Sequence, residues 1–239
     1  MGLTQQMIGK YIRAYIDIIK MPLYVVGAGP GDPKLLTARA VELLREADVV
    51  AYGDLVPEEV AALVSNAVKV KIGHRREDHQ KAVEALVEEA RFKKVVILKN
   101  GDPTVFGRGI EICREAERRG VPCEVVPGVS AFTAAAALYG IELTNGRDLR
   151  HVALLSYPHF GPDVLRQVRA DTVVVFMMGN RLAEAAAAIK EACPGGEVYL
   201  CVNVSRGGWC RKVDVEKLSV LQPQGPALLI VRRCGDINT

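Results

Sequence analysis

Two stretches of the chain carry an apolar run into the same Gly-Asp-Pro turn, at Gly31-Asp32-Pro33 and at Gly101-Asp102-Pro103. The first belongs to Gly27-Ala28-Gly29-Pro30-Gly31-Asp32-Pro33, which has the outline of a dinucleotide-binding glycine turn. Its chemistry argues otherwise. A pyrophosphate turn needs its third glycine where Asp32 stands, and a carboxylate there repels phosphate. Asp32-Pro33 reads instead as a helix start, the aspartate at the N-cap and proline at the first helical position. Asp102-Pro103 repeats that logic, so both turns are expected to be glycine-lined openings where backbone meets a ligand other than phosphate.

Charged and titratable groups follow three apolar runs. Asp54 comes after Tyr52-Gly53, His74-Arg75-Arg76 after Gly73, and Arg108 sits within Phe106-Gly107-Arg108-Gly109. Taken singly, Asp54 has the ordinary explanation of a turn aspartate, and the Arg75-Arg76 pair that of a solvated basic loop. Taken together, they suit an anionic substrate. Other chemistries find no support. Gly128-Val129-Ser130-Ala131-Phe132 lacks the second glycine of a nucleophile elbow, so Ser130 reads as a helix N-cap. His74 and His79 are not one helical turn apart, which disfavours a metal pair, and no Gly-Lys-Ser or Gly-Lys-Thr phosphate loop is present.

The composition is that of a globular protein: 239 residues, 49% hydrophobic and 25% charged. With 31 basic against 28 acidic side chains, net charge +3 and 5% aromatic residues, a nucleic-acid surface is disfavoured. The six cysteines form no C-x-x-C pair, and the expectation is reduced, buried thiols in a cytoplasmic protein without structural zinc. In residues 1–20, Met7, Ile8, Tyr11, Ile12, Tyr15, Ile16 and Ile19 form one helical stripe. Lys10, Arg13 and Asp17 interrupt it, which excludes a membrane span or signal peptide from the reading. It reads either as a packing or dimer-contact helix, or as sequence preceding a true start at Met21.

From there the elements that must position the turns alternate. Strands are expected at 23–27, 48–52, 68–72, 94–99 and 123–126, with helices at 34–47, 57–66, 78–92 and 109–119 between them. Valine-rich runs without polar alternation, each followed by an amphipathic helix, predict a parallel sheet buried on both faces. An alanine-rich helix from Ser130 to Tyr139 stops at Gly140. Further strands are expected near 151–156, 172–178, 197–203 and 227–232, with a helix over Leu182–Ala192 and antiparallel hairpin strands around 206–211. The boundaries are an extension over 1–20, an α/β domain over 21–128 and a second α/β domain over 129–239.

The motif Gly27 to Pro33 with Leu36-Thr37, Gly101-Asp102-Pro103 with Val105 to Gly109, and Val126-Pro127-Gly128-Val129-Ser130-Ala131 together resemble the tetrapyrrole (precorrin) methyltransferases. The likeness runs from about Met21 onward. Within that family, Phe106 to Gly109 and Gly140-Ile141-Glu142-Leu143-Thr144 are most similar to uroporphyrinogen-III C-methyltransferases. The resemblance implies two α/β domains, the first with a parallel and the second with a mixed sheet, a homodimer, and S-adenosylmethionine held in a cleft between the domains. It implies cofactor contacts from Pro30, Asn100, Gly101, Asp102, Val105, Ser130, Ala131, Met178 and Val204. A tetrapyrrole substrate would have its carboxylates held by Arg75, Arg76, Arg108, Arg147 and Arg150, with Asp54 or His74 removing a proton. Three positions depart from the family pattern: Gly53 and His74 stand where Asp and Lys are usual, and Asn100 replaces a glycine.

Overall fold

The computed structural model describes residues 22–63, 66–73 and 75–234. The expectations for residues 1–20 and for His74 therefore lie outside the described residues. The chain forms two compact units. One runs to Gly29 and from Pro33 to Val129; the other takes Pro30–Asp32 and the chain from Ser130 onward.

The first unit alternates strand and helix: β1 Leu23–Gly27, α1 Ala38–Glu46, β2 Val49–Tyr52, α2 Glu58–Ala62, β3 Val68–Lys71, α3 Arg76–Glu89, β4 Val95–Lys99, α4 Gly109–Arg118 and β5 Cys123–Val126. The five strands are all parallel in the order β3-β2-β4-β1-β5. Every residue of β1 and β2 is buried, as a strand covered on both faces requires. Alternation along β1 and β4 divides the core. Tyr24, Val26, Val96 and Leu98 pack with Leu43, Leu44 and Val60, while Leu23, Val25, Val95 and Ile97 pack with Leu86, Ile112 and Ala116.

This order has a functional consequence. The connection after β1 crosses β4 to reach β2, whereas the connection after β4 crosses β1 to reach β5. The two leave neighbouring strands in opposite directions, which makes the carboxyl ends of β1 and β4 the switch point of the sheet. Both Gly-Asp-Pro turns begin there.

The second unit contains α5 Ala131–Tyr139, β6 Val152–Ser156, α6 Pro162–Val168, β7 Thr172–Phe176, α7 Leu182–Ala192, β8 Glu197–Val202, β9 Trp209–Val213, α8 Val215–Leu218 and β10 Ala227–Arg232. Its sheet runs β6-β7-β10-β8-β9 and is mixed: β6 and β7 are parallel and the other pairings antiparallel. One core cluster joins Val173, Val175, Leu200 and Leu229 of the sheet to Leu182, Ala185 and Ile189 of α7. Gly140 ends α5 in the left-handed conformation at φ 66, where glycine carries no Cβ penalty.

Three expectations are corrected. The helix at 34–47 divides into a 3₁₀ turn, Pro33–Leu35, and α1, whose cap is Thr37 Oγ1 accepting from the Ala40 amide at 3.2 Å. Asp32 thus precedes the 3₁₀ turn, and the cap of the α-helix is Thr37. Asp102 caps no α-helix, because α4 begins at Gly109 behind Arg108. In each case the chain needs several residues to turn away from the switch point before a helix can start. The third correction concerns the cysteines, all six of which are paired: Cys113–Cys123, Cys193–Cys234 and Cys201–Cys210. Scattered in sequence, they meet because α4 packs on β5, because α7 and β10 end side by side, and because Cys201 and Cys210 are register partners in β8 and β9. Helix α6 was not anticipated, although Gly161-Pro162 carries the proline-first start signal.

Candidate functional site

Three strand-end turns of the first unit interlock through glycine. The chain leaving β1 stays paired to β4, the Ala28 amide donating to the Lys99 carbonyl at 2.8 Å. It then reverses into an antiparallel bridge, in which Gly101 donates its amide to the Gly29 carbonyl at 2.7 Å and Gly29 donates to Gly101 at 3.2 Å. Gly29 and Gly101 take φ values of 68° and 70°, open to glycine at no steric cost. The turn after β5 closes on the same point. A Cβ at Gly128 would stand 2.4 Å from the Gly101 carbonyl oxygen, and one at Gly27 would stand 2.6 Å from Gly128 Cα. These glycines therefore serve the approach of backbone to backbone, and not only an opening toward a ligand.

Asp102 ties the knot. One carboxylate oxygen, Oδ1, accepts from the Thr104 amide at 2.7 Å and from its hydroxyl at 2.5 Å, while Oδ2 accepts from the Gly128 amide at 2.9 Å. Burial pushes the carboxyl pKa up, but the hydrogen bonds from Thr104 and Gly128 outweigh it and hold the group below the ordinary aspartate value. Asn100 and Val105 flank it, both half-buried.

The following segment is conformationally strained. Phe106 and Arg108 both lie in the left-handed region, at φ 54° and 58°. Gly107 and Gly109 sit so close to Pro103 that a Cβ on either would come within 3 Å of it. Arg108 grips Glu111 with Nε at 2.8 Å and a terminal nitrogen at 2.5 Å, and the carboxylate raises its pKa. Lys99, at the end of β4, has its ammonium pKa lowered, first by burial and then by Arg108.

Asp54 is exposed in the turn after β2, where Val56 donates its amide to the Gly53 carbonyl at 3.0 Å. Arg75 is exposed at the N-cap of α3, and Arg76 opens that helix. Because β3, β2 and β4 are consecutive neighbours, Asp54, Arg75 and Arg108 follow three adjacent carboxyl ends of one sheet. Arg147 and Arg150 belong to the second unit. Both are exposed, and Arg150 donates its amide to Asp171 at 2.6 Å and its Nε to the Arg147 carbonyl at 2.8 Å.

The remaining predicted contacts also lie in the second unit. Ser130, 7% exposed, occupies the N-cap of α5 without a capping hydrogen bond from its side chain, and Ala131 is the first helical residue. Phe132 meets Phe176 edge-on at 6.2 Å, which brings the start of α5 to the end of β7, two residues before buried Met178. Val204, likewise buried, is flanked by Asn203 and Ser205 at φ 47° and 63°, and Met177 beside Met178 lies at 62°. Left-handed backbone at non-glycine residues is costly and concentrates at ligand sites. Ser205 and Arg206, which both reach Pro30–Asp32 of the same unit, were missed from sequence; the local signal was the glycine, arginine and tryptophan cluster read as a hairpin. Among the described residues, no group of three His, Cys, Asp or Glu could hold a metal ion, and no helix is long and apolar enough to cross a membrane.

Comparison with known proteins gives this geometry its relatives. Curated relatives include the siroheme synthase of Pseudomonas fluorescens (strain Pf0-1), 46% identical over 129 residues, which cover 52% of this chain and 28% of that protein. Siroheme synthase 2 of Halorhodospira halophila is 35% identical over 227 residues, covering 87% of this chain and 46% of its own length. The chain thus spans less than half the length of these two relatives. Among solved structures, the native uroporphyrin III C-methyl transferase of Thermus thermophilus is 34% identical with a TM-score of 0.75, covering 89% of this chain and 92% of that one. The same enzyme complexed with S-adenyl homocysteine gives a TM-score of 0.76 at 34% identity, covering 91% of this chain and 100% of that one. A cobalt precorrin-4 methyltransferase, CbiF, gives 0.79 at 27% identity, covering 91% of this chain and 97% of its own. The family model for Tetrapyrrole (Corrin/Porphyrin) Methylases matches residues 22–219, and the chain belongs to that family.

Proposed function

We propose that this chain is an S-adenosylmethionine-dependent C-methyltransferase that converts uroporphyrinogen III to precorrin-2 for sirohaem and cobalamin. The observation that carries the reading is the glycine-locked junction at the switch point of the first sheet, where the turns after β1, β4 and β5 meet. Identity of 34% to a uroporphyrin III C-methyl transferase along 92% of its length supports the same reading.

The residues fit a folded nucleoside amino acid. Several of the expected contacts, Gly101 and Ala131 among them, carry little or no side chain, which suits a backbone-lined site for adenine and the amino-acid end. When bound, S-adenosylmethionine supplies a methyl group already activated on a positively charged sulfur. The task left to Pro30, Asn100, Gly101, Asp102, Val105, Ser130, Ala131, Met178 and Val204 is to hold and orient, and orientation is a large share of such catalysis. Asp102 does so by fixing the turn, since both of its oxygens are engaged. Asp54 or His74 takes the proton that the methylated pyrrole releases. Arg75, Arg76, Arg147 and Arg150 hold substrate carboxylates, and Arg108 does so in competition with Glu111.

The chain is further proposed to act as a homodimer in the cytoplasm and to bind no nucleic acid. Its disulfides would persist there as those of intracellular hyperthermophile proteins do. The alternative reading, a corrin-pathway methyltransferase acting on precorrin-4, draws on the TM-score of 0.79 with CbiF, set against its lower identity of 27%. Incubation with S-adenosylmethionine and uroporphyrinogen III decides between them. A product heavier by one or two methyl groups is expected; no product there with turnover on precorrin-4 moves the assignment.

A further inference from the structure

Within the second unit, the loop between β8 and β9 meets Pro30–Asp32. The Asp32 amide donates to Ser205 Oγ at 3.0 Å, across 173 residues of chain, and Arg206 Nε donates to the Pro30 carbonyl at 3.1 Å. Gly31, between the two contacts, makes room for this. A Cβ there would stand 2.3 Å from Arg206 Nε and 2.4 Å from its Cγ, so the arginine side chain fills the space that any other residue would occupy. Gly31 also takes φ 144°, a conformation that side chains rarely adopt.

The loop is held rigid at some conformational cost. Asn203 and Ser205 are left-handed at φ 47° and 63°. Asn203 receives support from both ends, donating its amide to the Pro226 carbonyl at 2.8 Å and its side-chain nitrogen to the Gln224 carbonyl at 2.9 Å. The Arg206 amide donates to the Asn203 carbonyl at 2.9 Å, and the Cys201–Cys210 disulfide closes the hairpin beneath. Strain kept in place by this many ties, with two polar side chains directed at a single turn, is the mark of a supporting layer that fixes a binding segment.

We propose that Ser205 and Arg206 are positioning residues that hold Pro30–Asp32 in the form that receives the cofactor. The inference rests on the methyltransferase reading above. Neither residue need touch the cofactor: by fixing the turn in advance they remove an ordering cost that binding would otherwise meet.

The test uses the whole chain and S-adenosylhomocysteine as the probe. Calorimetric titration of Arg206→Ala is expected to show affinity reduced by about tenfold, with Arg206→Lys recovering part of the loss. In Ser205→Ala, the Asp32 amide loses its acceptor, so its hydrogen exchange measured by NMR quickens and the affinity falls in step. A folded Arg206→Ala variant that binds as the wild type does overturns the inference. Should that variant fail to fold, Ser205→Ala decides: accelerated Asp32 exchange with unchanged affinity also overturns it. Wild-type protein that does not bind S-adenosylhomocysteine is a different result, one that removes the methyltransferase reading and this inference with it.

Discussion

Asp32 and Asp102 occupy the same place in the same tripeptide and have different tasks. Asp102 directs its carboxylate to Thr104 and to Gly128, which lies 26 residues on. Asp32 offers its amide to Ser205, 173 residues away. Local sequence led to one shared reading, a helix cap, because the partners that separate the two residues are supplied by folding. For Asp102 the consequence is measurable. Asp102→Ala leaves the exposed Thr104 amide and the half-buried Gly128 amide without their acceptor, and the half-buried donor left unmet costs about 1–3 kcal/mol. A stability loss in that range is expected in a urea titration, with binding of S-adenosylhomocysteine weakened together with it. Asp102→Asn keeps an acceptor oxygen and should fall between. The pH dependence follows from the lowered pKa of the folded state. A depressed carboxyl stabilises the native form fully above its unfolded value, about 3.9, and the contribution disappears as pH falls from there through the lower folded value. Wild type should therefore lose its advantage over Asp102→Asn below about pH 4. A gap between the two melting temperatures that stays constant through this range would contradict the assignment.

At the scale of elements, sequence is a good guide wherever burial alone decides. Strands β1 and β10 and helix α7 fall where the apolar runs place them, since a strand covered on both faces has to be apolar along its length, and edge strand β5 keeps its expected bounds although Glu124 is exposed. What escaped was set by contact between elements. The 3₁₀ turn at Pro33–Leu35 delays α1 because the chain is still leaving the switch point, and the cysteine pairs exist only once helices and strands have packed. The glycine contact among the turns after β1, β4 and β5 belongs to this class too. Gly128→Ala would drive a Cβ to 2.4 Å from the Gly101 carbonyl oxygen and 2.8 Å from Gly27 Cα, both backbone atoms that cannot swing aside. Overpacking of this kind costs about 1–3 kcal/mol and displaces the junction. Gly161→Ala is the matched control, since a Cβ there meets nothing within 4 Å and its φ of 176° is ordinary extended backbone. Chemical denaturation should show that control losing less than about 1 kcal/mol. Equal losses in the two variants would mean that the glycine contact does not hold the turns.

For the whole molecule, the three disulfides are divided unequally between the units. Cys113–Cys123 lies in the first, while the second holds both Cys201–Cys210 and Cys193–Cys234. The sequence separations are 10, 9 and 41 residues. Restriction of the unfolded chain grows with the loop closed, at roughly 2.5 kcal/mol for a loop of nine or ten residues and roughly 4 kcal/mol for one of about 40. Reduction should therefore weaken the second unit much more than the first. The protein carries its own reporter, because its one tryptophan, Trp209, lies on β9 of that unit. Far-ultraviolet circular dichroism follows the helices of both units, and tryptophan fluorescence follows the second alone. In a phosphine reductant, with six free thiols confirmed by titration, the fluorescence midpoint of a thermal scan is expected to fall well below that of the oxidised protein and to precede the dichroism midpoint. Coincident midpoints that do not move on reduction would show that the packing of the mixed sheet, and not its cross-links, sets the stability of the unit that carries Ser130, Met178 and Val204.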